Sequence, residues 1–90
     1  MSTETIGIIA GSGQFPALAA RTARAGGRRV AICGFKGYTD PALGREADDF
    51  ALLPLGKLSR MIKFFKQAGV KRLCMAGAIN KPRALDVRPD

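Results

Sequence analysis

The sequence predicts a three-layer α/β domain with a small, mostly parallel sheet. Three observations predict this fold class: short apolar runs alternate with runs of helical periodicity, glycine-rich breaks separate them, and 47% of the 90 residues are hydrophobic. Strands of a parallel sheet are covered on both faces, so they show unbroken apolar runs rather than alternation. The sequence predicts only three or four strands, which make a thin sheet with an uncovered far edge. Residues 1–90 are therefore expected to form the first domain of a two-domain protein.

The first half of the chain predicts one strand–helix–strand unit. Residues 5–10 form a short, β-branched, apolar run that is typical of a buried strand. Residues 15–25 follow helical spacing, and Pro16 suits the first turn, where a missing N–H breaks no helical hydrogen bond. Two glycines end this helix, and residues 29–33 form the second strand. The unit has about the usual length of roughly 30 residues.

A long polar connection, residues 34–50, follows the second strand. Asp40 and Pro41 are suited to begin a short helical turn inside it, as cap and first residue. Residues 51–55 are predicted to form an edge strand. Pro54 argues against a central position, because proline has no N–H to donate to a neighbouring strand.

The clearest helix is predicted over residues 57–68, and Gly69 ends it. Apolar side chains recur at helical spacing and predict its core face: Leu58, Met61, Ile62 and Phe65. Four cations lie mostly on the other side: Lys57, Arg60, Lys63 and Lys66. Residues 72–76 are predicted to form a last buried strand, and no further element is predicted after it.

Charge and cysteine content limit the function classes. Fifteen Lys and Arg against seven Asp and Glu give a net charge of +8, which favours anionic partners such as nucleotides, anionic lipids or nucleic acid. The chain has no histidine, which excludes a Cys/His zinc site. Cys33 and Cys74 both lie in apolar runs and are interpreted as reduced core residues of a cytosolic protein. No apolar run approaches the roughly 20 residues of a membrane span, and the N-terminus lacks a basic signal-peptide start.

Three glycine-containing loops leave the carboxyl ends of the predicted strands, residues 11–14, 34–37 and 77–82. Ligands of open α/β sheets bind at these ends. Glycines let the backbone approach a phosphate, a helix N-terminus presents free N–H groups, and lysines supply point charges. A serine adds a hydroxyl donor, and an asparagine could bind a sugar or base. The candidate substrate-binding residues are Gly11, Ser12, Gly13, Lys36, Gly77, Asn80 and Lys81.

The first loop is not a dinucleotide or P-loop fingerprint. Pro16 stands where G-x-G-x-x-G requires its third glycine, and Lys36 lies near the end of the second strand, where an acid would bind the ribose. The sequence G-x-x-x-x-G-K-[ST] is absent as well. Two interpretations remain, a phosphate-approach loop and a tight strand-to-helix turn. Each lysine likewise has the alternative of being merely solvated.

Other functions have weaker support. The basic face of the second helix suits an anionic membrane surface or plain solvent. Nucleic-acid binding is not predicted, because the chain has no Trp, one Tyr and no aromatic ladder. Asp40, Asp48 and Asp49 could bind Mg²⁺ or be solvated, and no nucleophile–base pair is found. These residues indicate a binding domain without catalytic groups.

Four segments in order, "GIIAGSGQFP", "GFKGYTDP", "LGKLSRMIKFFKQAGV" and "MAGAINKPRALDVRPD", closely resemble the N-terminal domain of LpxI-type UDP-2,3-diacylglucosamine pyrophosphatases. The resemblance implies a Rossmann-like first domain, a second α/β domain and a substrate between them. It implies Mg²⁺-dependent hydrolysis of UDP-2,3-diacylglucosamine to UMP and 2,3-diacylglucosamine 1-phosphate (lipid X), in lipid A synthesis at the cytoplasmic face of the Gram-negative inner membrane. The catalytic aspartate belongs to the second domain. The matching ligand-facing positions are Gly11, Ser12, Gly13, Gly77, Asn80 and Lys81.

Three hypotheses follow. The first is the substrate-binding half of such a pyrophosphatase, inactive without its C-terminal domain. The second is a nucleotide- or phosphate-binding module complete at 90 residues. The third is a basic protein that binds nucleic acid or a membrane by charge alone, with a steep dependence on salt. Association into a homo-oligomer is a further expectation, because an open sheet edge can pair with another copy.

Overall fold

A parallel four-stranded sheet with helices on both faces is the framework of the protein, in a computed structural model that describes residues 4–78. The elements in chain order are β1 (Thr5–Ala10), α1 (Phe15–Ala25), β2 (Arg29–Phe35), a 3₁₀ segment (Pro41–Glu46), β3 (Asp49–Leu53), α2 (Leu58–Gln67) and β4 (Arg72–Ala76). The strand order is β3-β2-β1-β4, and every neighbouring pair is parallel. The predicted three-layer α/β fold is confirmed.

Side-chain alternation along the central strands builds one core on each face of the sheet. Ile8, Val30 and Ile32 point to the α1 face, where they pack with Ala20. Cys33 packs with Phe65 of α2 on the other face. Both faces of β1 and β2 are therefore covered, which explains why their sequences are continuously apolar.

Parallel pairing brings the carboxyl ends of all four strands to one edge of the sheet, called here the carboxyl edge. Ala10 pairs in register with Gly34 and with Ala76, so the loops that follow these residues begin side by side. The predicted grouping of the three glycine-containing loops at this edge is confirmed for the part of each loop within residues 4–78.

Most boundaries agree with the predictions, and the differences are short. β2 continues two residues further than predicted, to Phe35, and β3 starts two residues earlier, at Asp49. β3 is an edge strand, as predicted, but it ends at Leu53, two residues earlier than predicted. The Asp40 side chain caps the 3₁₀ segment by accepting from the amide of Ala42 at 2.9 Å, also as predicted.

The predicted core face of α2 is only partly correct. Phe65 is buried and Met61 half-buried, but Leu58 is 61% and Ile62 48% exposed. Phe64 packs against the same core as Phe65, so the helix turns a different flank to the sheet than its strongest apolar stripe. The reason is that α2 covers β2 and β3, so that no element among residues 4–78 covers its Leu58 and Ile62 flank.

The prediction that β4 is a buried strand is wrong, and so is the prediction that Cys74 is a core residue. Leu73 and Met75 are 55% and 78% exposed, and Cys74 is exposed as well. β4 is the outermost strand beside β1, and α1 and α2 lie mainly over the other strands. Cys33, by contrast, is buried as predicted. Within residues 4–78 no helix is long and apolar enough to cross a membrane.

Candidate functional site at the carboxyl edge

The loops after β1 and β4 are joined to each other by backbone hydrogen bonds. The amide of Gly11 donates to the carbonyl of Ala76 at 2.8 Å, and the amide of Ser12 donates to that of Ala78 at 2.7 Å. The amide of Ala78 donates back to Ser12 at 3.2 Å, which forms a short antiparallel bridge. The two loops therefore form one rigid wall of the carboxyl edge.

Glycine at positions 11 and 77 makes this close approach possible. A Cβ at Gly11 would lie 2.5 Å from the carbonyl oxygen of Ala78, and a Cβ at Gly77 would lie 2.5 Å from that of Ser12. The Ser12 hydroxyl also donates to Ala78, at 2.8 Å. The amides of Gly11 and Ser12 are thus already engaged, and a ligand would meet this wall through other groups.

Gly13 has a different role, because it lies where the chain turns into α1. Its φ is +93°, and apart from Gly13 itself and its chain neighbours Ser12 and Gln14, no heavy atom of residues 4–78 lies within 4 Å of the position that a Cβ would take. Glycine is favoured there by backbone conformation, and the space beside it is open. Gly13 lies two residues before α1, whose leading amides have no helical carbonyl to accept from them.

The first turn of α1 suits an anion electrostatically. It contains no acidic residue, and among the described residues the side chain of Gln14 makes no capping hydrogen bond. Pro16 lies within the first turn, as predicted. The N-terminal end of a helix carries a partial positive charge, so negative groups are stabilised there.

The loop after β2 supplies a cation beside Gly13. Lys36 donates its amide to Leu53 at 3.0 Å, while its side chain is exposed. Gly13 and Lys36 line the same depression of about 500 Å³, which is called here the phosphate cleft. Its other lining residues are Gly37, Tyr38, Thr39, Asp40, Pro41 and Leu52. The structure therefore brings two of the predicted site residues together in one cleft.

Thr39 is a residue of this cleft that the sequence analysis did not single out. Its side chain is buried, accepts from the amide of Phe35 at 2.8 Å and donates to the carbonyl of Ala10 at 2.7 Å. The only sequence signal is its place directly before Asp40-Pro41, in a turn where short hydroxyl side chains commonly bond the backbone. That signal does not reveal the long-range bond to β1.

A second depression of about 440 Å³ lies on the α1 side of the cleft. Arg21 and Glu46 line it and form an ion pair at 2.9 Å. The hydrogen bond from Arg21 lowers the pKa of Glu46 below its ordinary value, and the same bond raises the pKa of Arg21. The sequence analysis missed this pair, because the two residues are 25 positions apart and meet only through the packing of α1 on the 3₁₀ segment.

The loop carboxylates considered for Mg²⁺ have structural partners. Asp40 caps the 3₁₀ segment, and Asp48 accepts from the amide of Val30 at 2.8 Å. Asp49 lies 3.8 Å from a guanidinium nitrogen of Arg29. Residues 4–78 contain no group of three Asp, Glu, Cys or His side chains that could hold a metal ion. The described carboxylates therefore do not fit a magnesium centre.

Two predicted site residues, Asn80 and Lys81, lie outside the described residues. The remaining five are placed in two groups, one in the wall and one in the cleft. Gly11, Ser12 and Gly77 build the wall between the loops, while Gly13 and Lys36 line the phosphate cleft.

Comparison with known proteins points to one family. The sequence-family model of the LpxI N-terminal domain matches residues 5–90. The chain is 29% identical over 85 residues to the UDP-2,3-diacylglucosamine pyrophosphatase LpxI of Caulobacter vibrioides, and the match covers 94% of this chain and 30% of that protein. The chain thus spans less than a third of the length of the curated relative it matches.

Proposed function

Because the chain belongs to the LpxI N-terminal domain family, we propose that it is the substrate-binding domain of a lipid A biosynthesis hydrolase. The proposed substrate is UDP-2,3-diacylglucosamine, the compound after which the Caulobacter relative is named. The proposed reaction cleaves its pyrophosphate to give UMP and 2,3-diacylglucosamine 1-phosphate. The observation that carries the proposal is the family match over residues 5–90, which includes every loop at the carboxyl edge.

The phosphate cleft is the proposed site for the pyrophosphate. Gly13 and the exposed Lys36 both line it, and the open space beside Gly13 admits an anion. The start of α1, two residues after Gly13, adds the partial positive charge of a helix N-terminus. Gly11, Ser12 and Gly77 are proposed to shape the wall. Asn80 and Lys81 are proposed to extend the site, on the strength of the family resemblance.

Mg²⁺ and the catalytic groups are proposed to lie in a second α/β domain. The resemblance to the LpxI family supports this division, because it implies that the catalytic aspartate belongs to the second domain. The present residues would bind and orient the substrate, and the second domain would supply the attacking chemistry. Hydrolysis is accordingly not expected from residues 1–90 alone.

Contact with the cytoplasmic face of the inner membrane is a further part of the proposal. Arg60, Lys63 and Lys66 are exposed on α2, and Lys57 is exposed at its N-cap. Leu58 and Ile62 are exposed on the same helix. Basic side chains beside exposed apolar ones are the combination by which amphipathic helices bind anionic lipid surfaces.

The test is an assay of the full-length protein that carries this domain, with UDP-2,3-diacylglucosamine, Mg²⁺ and chromatographic detection of UMP. Lys36→Ala is expected to raise KM by roughly three- to tenfold, the effect of losing one charge-assisted contact. Lys71→Ala is the matched control, because Lys71 is an exposed cation at the opposite, amino end of the sheet.

Three results are informative. The proposal is supported if the full-length protein releases UMP and if Lys36→Ala raises KM while Lys71→Ala does not. Equal effects of the two lysine variants would show that only general charge matters and would remove the phosphate cleft from the proposal. No UMP release by the full-length protein, together with UMP binding by residues 1–90, would favour a binding module without hydrolase activity.

A further inference from the structure

One buried hydroxyl connects the two sides of the phosphate cleft. Thr39 is 5% exposed and lies at the base of the cleft. Its oxygen accepts from the amide of Phe35, the last residue of β2, and donates to the carbonyl of Ala10, the last residue of β1. The hydroxyl therefore uses one acceptor and one donor function to join the ends of two neighbouring strands.

The cleft loops start from the residues that this hydroxyl holds. Ala10 directly precedes the loop that carries Gly13, and Phe35 directly precedes Lys36. The amides of Tyr38 and Thr39 both donate to the carbonyl of Phe35 at 3.0 Å, so the second loop folds back tightly onto its own strand. The position of Thr39 thus affects the position of both loops, the one that carries Gly13 and the one that carries Lys36.

Gly34 provides the space that Thr39 occupies. A Cβ at Gly34 would lie 2.5 Å from Cγ2, 2.7 Å from Cβ and 2.9 Å from Oγ1 of Thr39. Real Cβ atoms do not approach other atoms so closely, so a side chain at position 34 would force Thr39 to move. The two residues are complementary in shape, and each constrains the other.

We propose that Thr39 is a positioning residue, whose hydroxyl sets the separation between the Gly13 and Lys36 sides of the cleft and thereby the affinity for a phosphate-bearing ligand. The identity of that ligand rests on the proposed function, whereas the positioning of the loops does not. Replacing the hydroxyl by a methyl group would leave the Phe35 amide and the Ala10 carbonyl buried without their partner. The loops would shift to hydrate these groups, and the cleft would change its width.

The experiment compares four variants of the full-length protein. Thr39→Val removes the hydroxyl at nearly constant shape, and Thr39→Ser keeps it. Gly34→Ala displaces Thr39 without removing any hydrogen-bonding group. Val30→Ala is the control, because Val30 is fully buried at the amino end of β2, away from the cleft.

Two measurements are made on each variant. The first is the amide NMR signals of Gly11, Gly13 and Gly37, recorded without ligand. The second is KM and kcat for UDP-2,3-diacylglucosamine, at a temperature where every variant is folded. Thr39→Val and Gly34→Ala are expected to shift the three amide signals and to raise KM by roughly three- to tenfold, with a smaller change in kcat. Thr39→Ser is expected to restore both properties, and Val30→Ala to leave them unchanged.

The contrary results are distinct. Unshifted glycine amides in Thr39→Val and in Gly34→Ala would overturn the inference. Equal changes in Val30→Ala would overturn it too, because they would show a general effect of stability. If the wild-type protein does not turn over the substrate, the proposed function fails, and the amide signals still decide whether Thr39 positions the loops. If Thr39→Val does not fold, the other two variants test the inference. It requires shifted glycine amide signals in Gly34→Ala and wild-type signals in Thr39→Ser, and unshifted signals in Gly34→Ala would overturn it.

Discussion

At the scale of single residues, the two cysteines differ in their surroundings. Cys33 is fully buried between the sheet and α2, and burial raises the pKa of its thiol. Cys74 lies exposed on the outermost strand. Because the thiolate is the reactive form and needs access to the reagent, the two thiols should differ strongly in reactivity.

We expect an aromatic disulfide reagent at about pH 8 to modify Cys74 quickly and Cys33 only as the protein unfolds. The absorbance of the released aromatic thiolate counts the modified cysteines. It should show one rapidly modified thiol in the folded protein and two in denaturant that unfolds it. Cys74→Ser should remove the fast phase. Fast labelling that persists in Cys74→Ser would contradict the burial of Cys33.

A second residue-scale prediction concerns the ion pair between Arg21 and Glu46. The folded protein lowers the pKa of Glu46, first through the hydrogen bond from Arg21. A lowered carboxyl pKa contributes stability above the ordinary Glu value of about 4.3, and this contribution is lost as the pH falls through the lowered folded value. Glu46→Gln should therefore be less stable than the wild type at about pH 7, and the difference should shrink as the pH falls through the lowered folded pKa of Glu46.

Thermal unfolding at a series of pH values measures this difference. Both side chains are partly exposed, so added salt should reduce the difference near neutral pH. A difference in melting temperature that is independent of pH would show that the substitution acts through packing and that the ionised pair contributes nothing.

At the scale of elements, α2 shows how packing selects one flank of an amphipathic helix. Phe65 is 5% exposed, whereas Ile62 on the same predicted face is about half exposed. We expect Phe65→Ala to lower the free energy of unfolding by about 3–4 kcal/mol, as for other buried aromatic side chains. Ile62→Ala should cost less than about 1 kcal/mol, because its side chain loses little burial.

Urea denaturation of the two variants tests this orientation of α2. Leu58→Ala is a second control, since Leu58 is exposed beside Ile62. Similar losses for Phe65→Ala and Ile62→Ala would mean that the Ile62 flank is covered in solution and that the helix is rotated from the orientation described above.

At the scale of the whole molecule, β4 is the feature with the largest consequence. The outer edge of β4 has no paired strand among residues 4–78, and its side chains Leu73 and Met75 are exposed. An exposed apolar edge strand is a template for pairing with another chain. The family to which the chain belongs is an N-terminal domain, and the relative is more than three times as long as the matched part.

We expect residues 1–90 to associate through the β4 edge at high concentration. Leu73→Lys should reduce this association, because a charged side chain opposes edge-to-edge pairing. Leu55→Lys is the matched control, since Leu55 is exposed just after β3, which lies at the other edge of the sheet. Sedimentation velocity measures the effect. A wild-type chain that stays monomeric, or equal effects of both variants, would exclude the β4 edge as the association surface.

Local signals in the sequence were sufficient for most of the elements. β1 and α1 have the predicted bounds, because an apolar β-branched run, a proline in the first helical turn and terminal glycines all act over a few residues. Asp40 and Pro41 predicted the start of the 3₁₀ segment for the same reason. The grouping of the glycine loops followed from one further rule, that strands joined by such crossovers are parallel.

Position within the sheet could not be predicted in the same way. β1 and β4 have similar apolar sequences, yet β1 is central and β4 lies at the edge, so Cys74 is exposed while Cys33 is buried. The bond from Thr39 to Ala10 spans 29 positions, and the contact between Ser12 and Ala78 spans 66. Composition, periodicity and turn residues thus specify the elements and the kind of ligand that their loops suit. Burial and the pairing of loops depend on which strands become neighbours, and that is set by long-range contacts that no local pattern encodes.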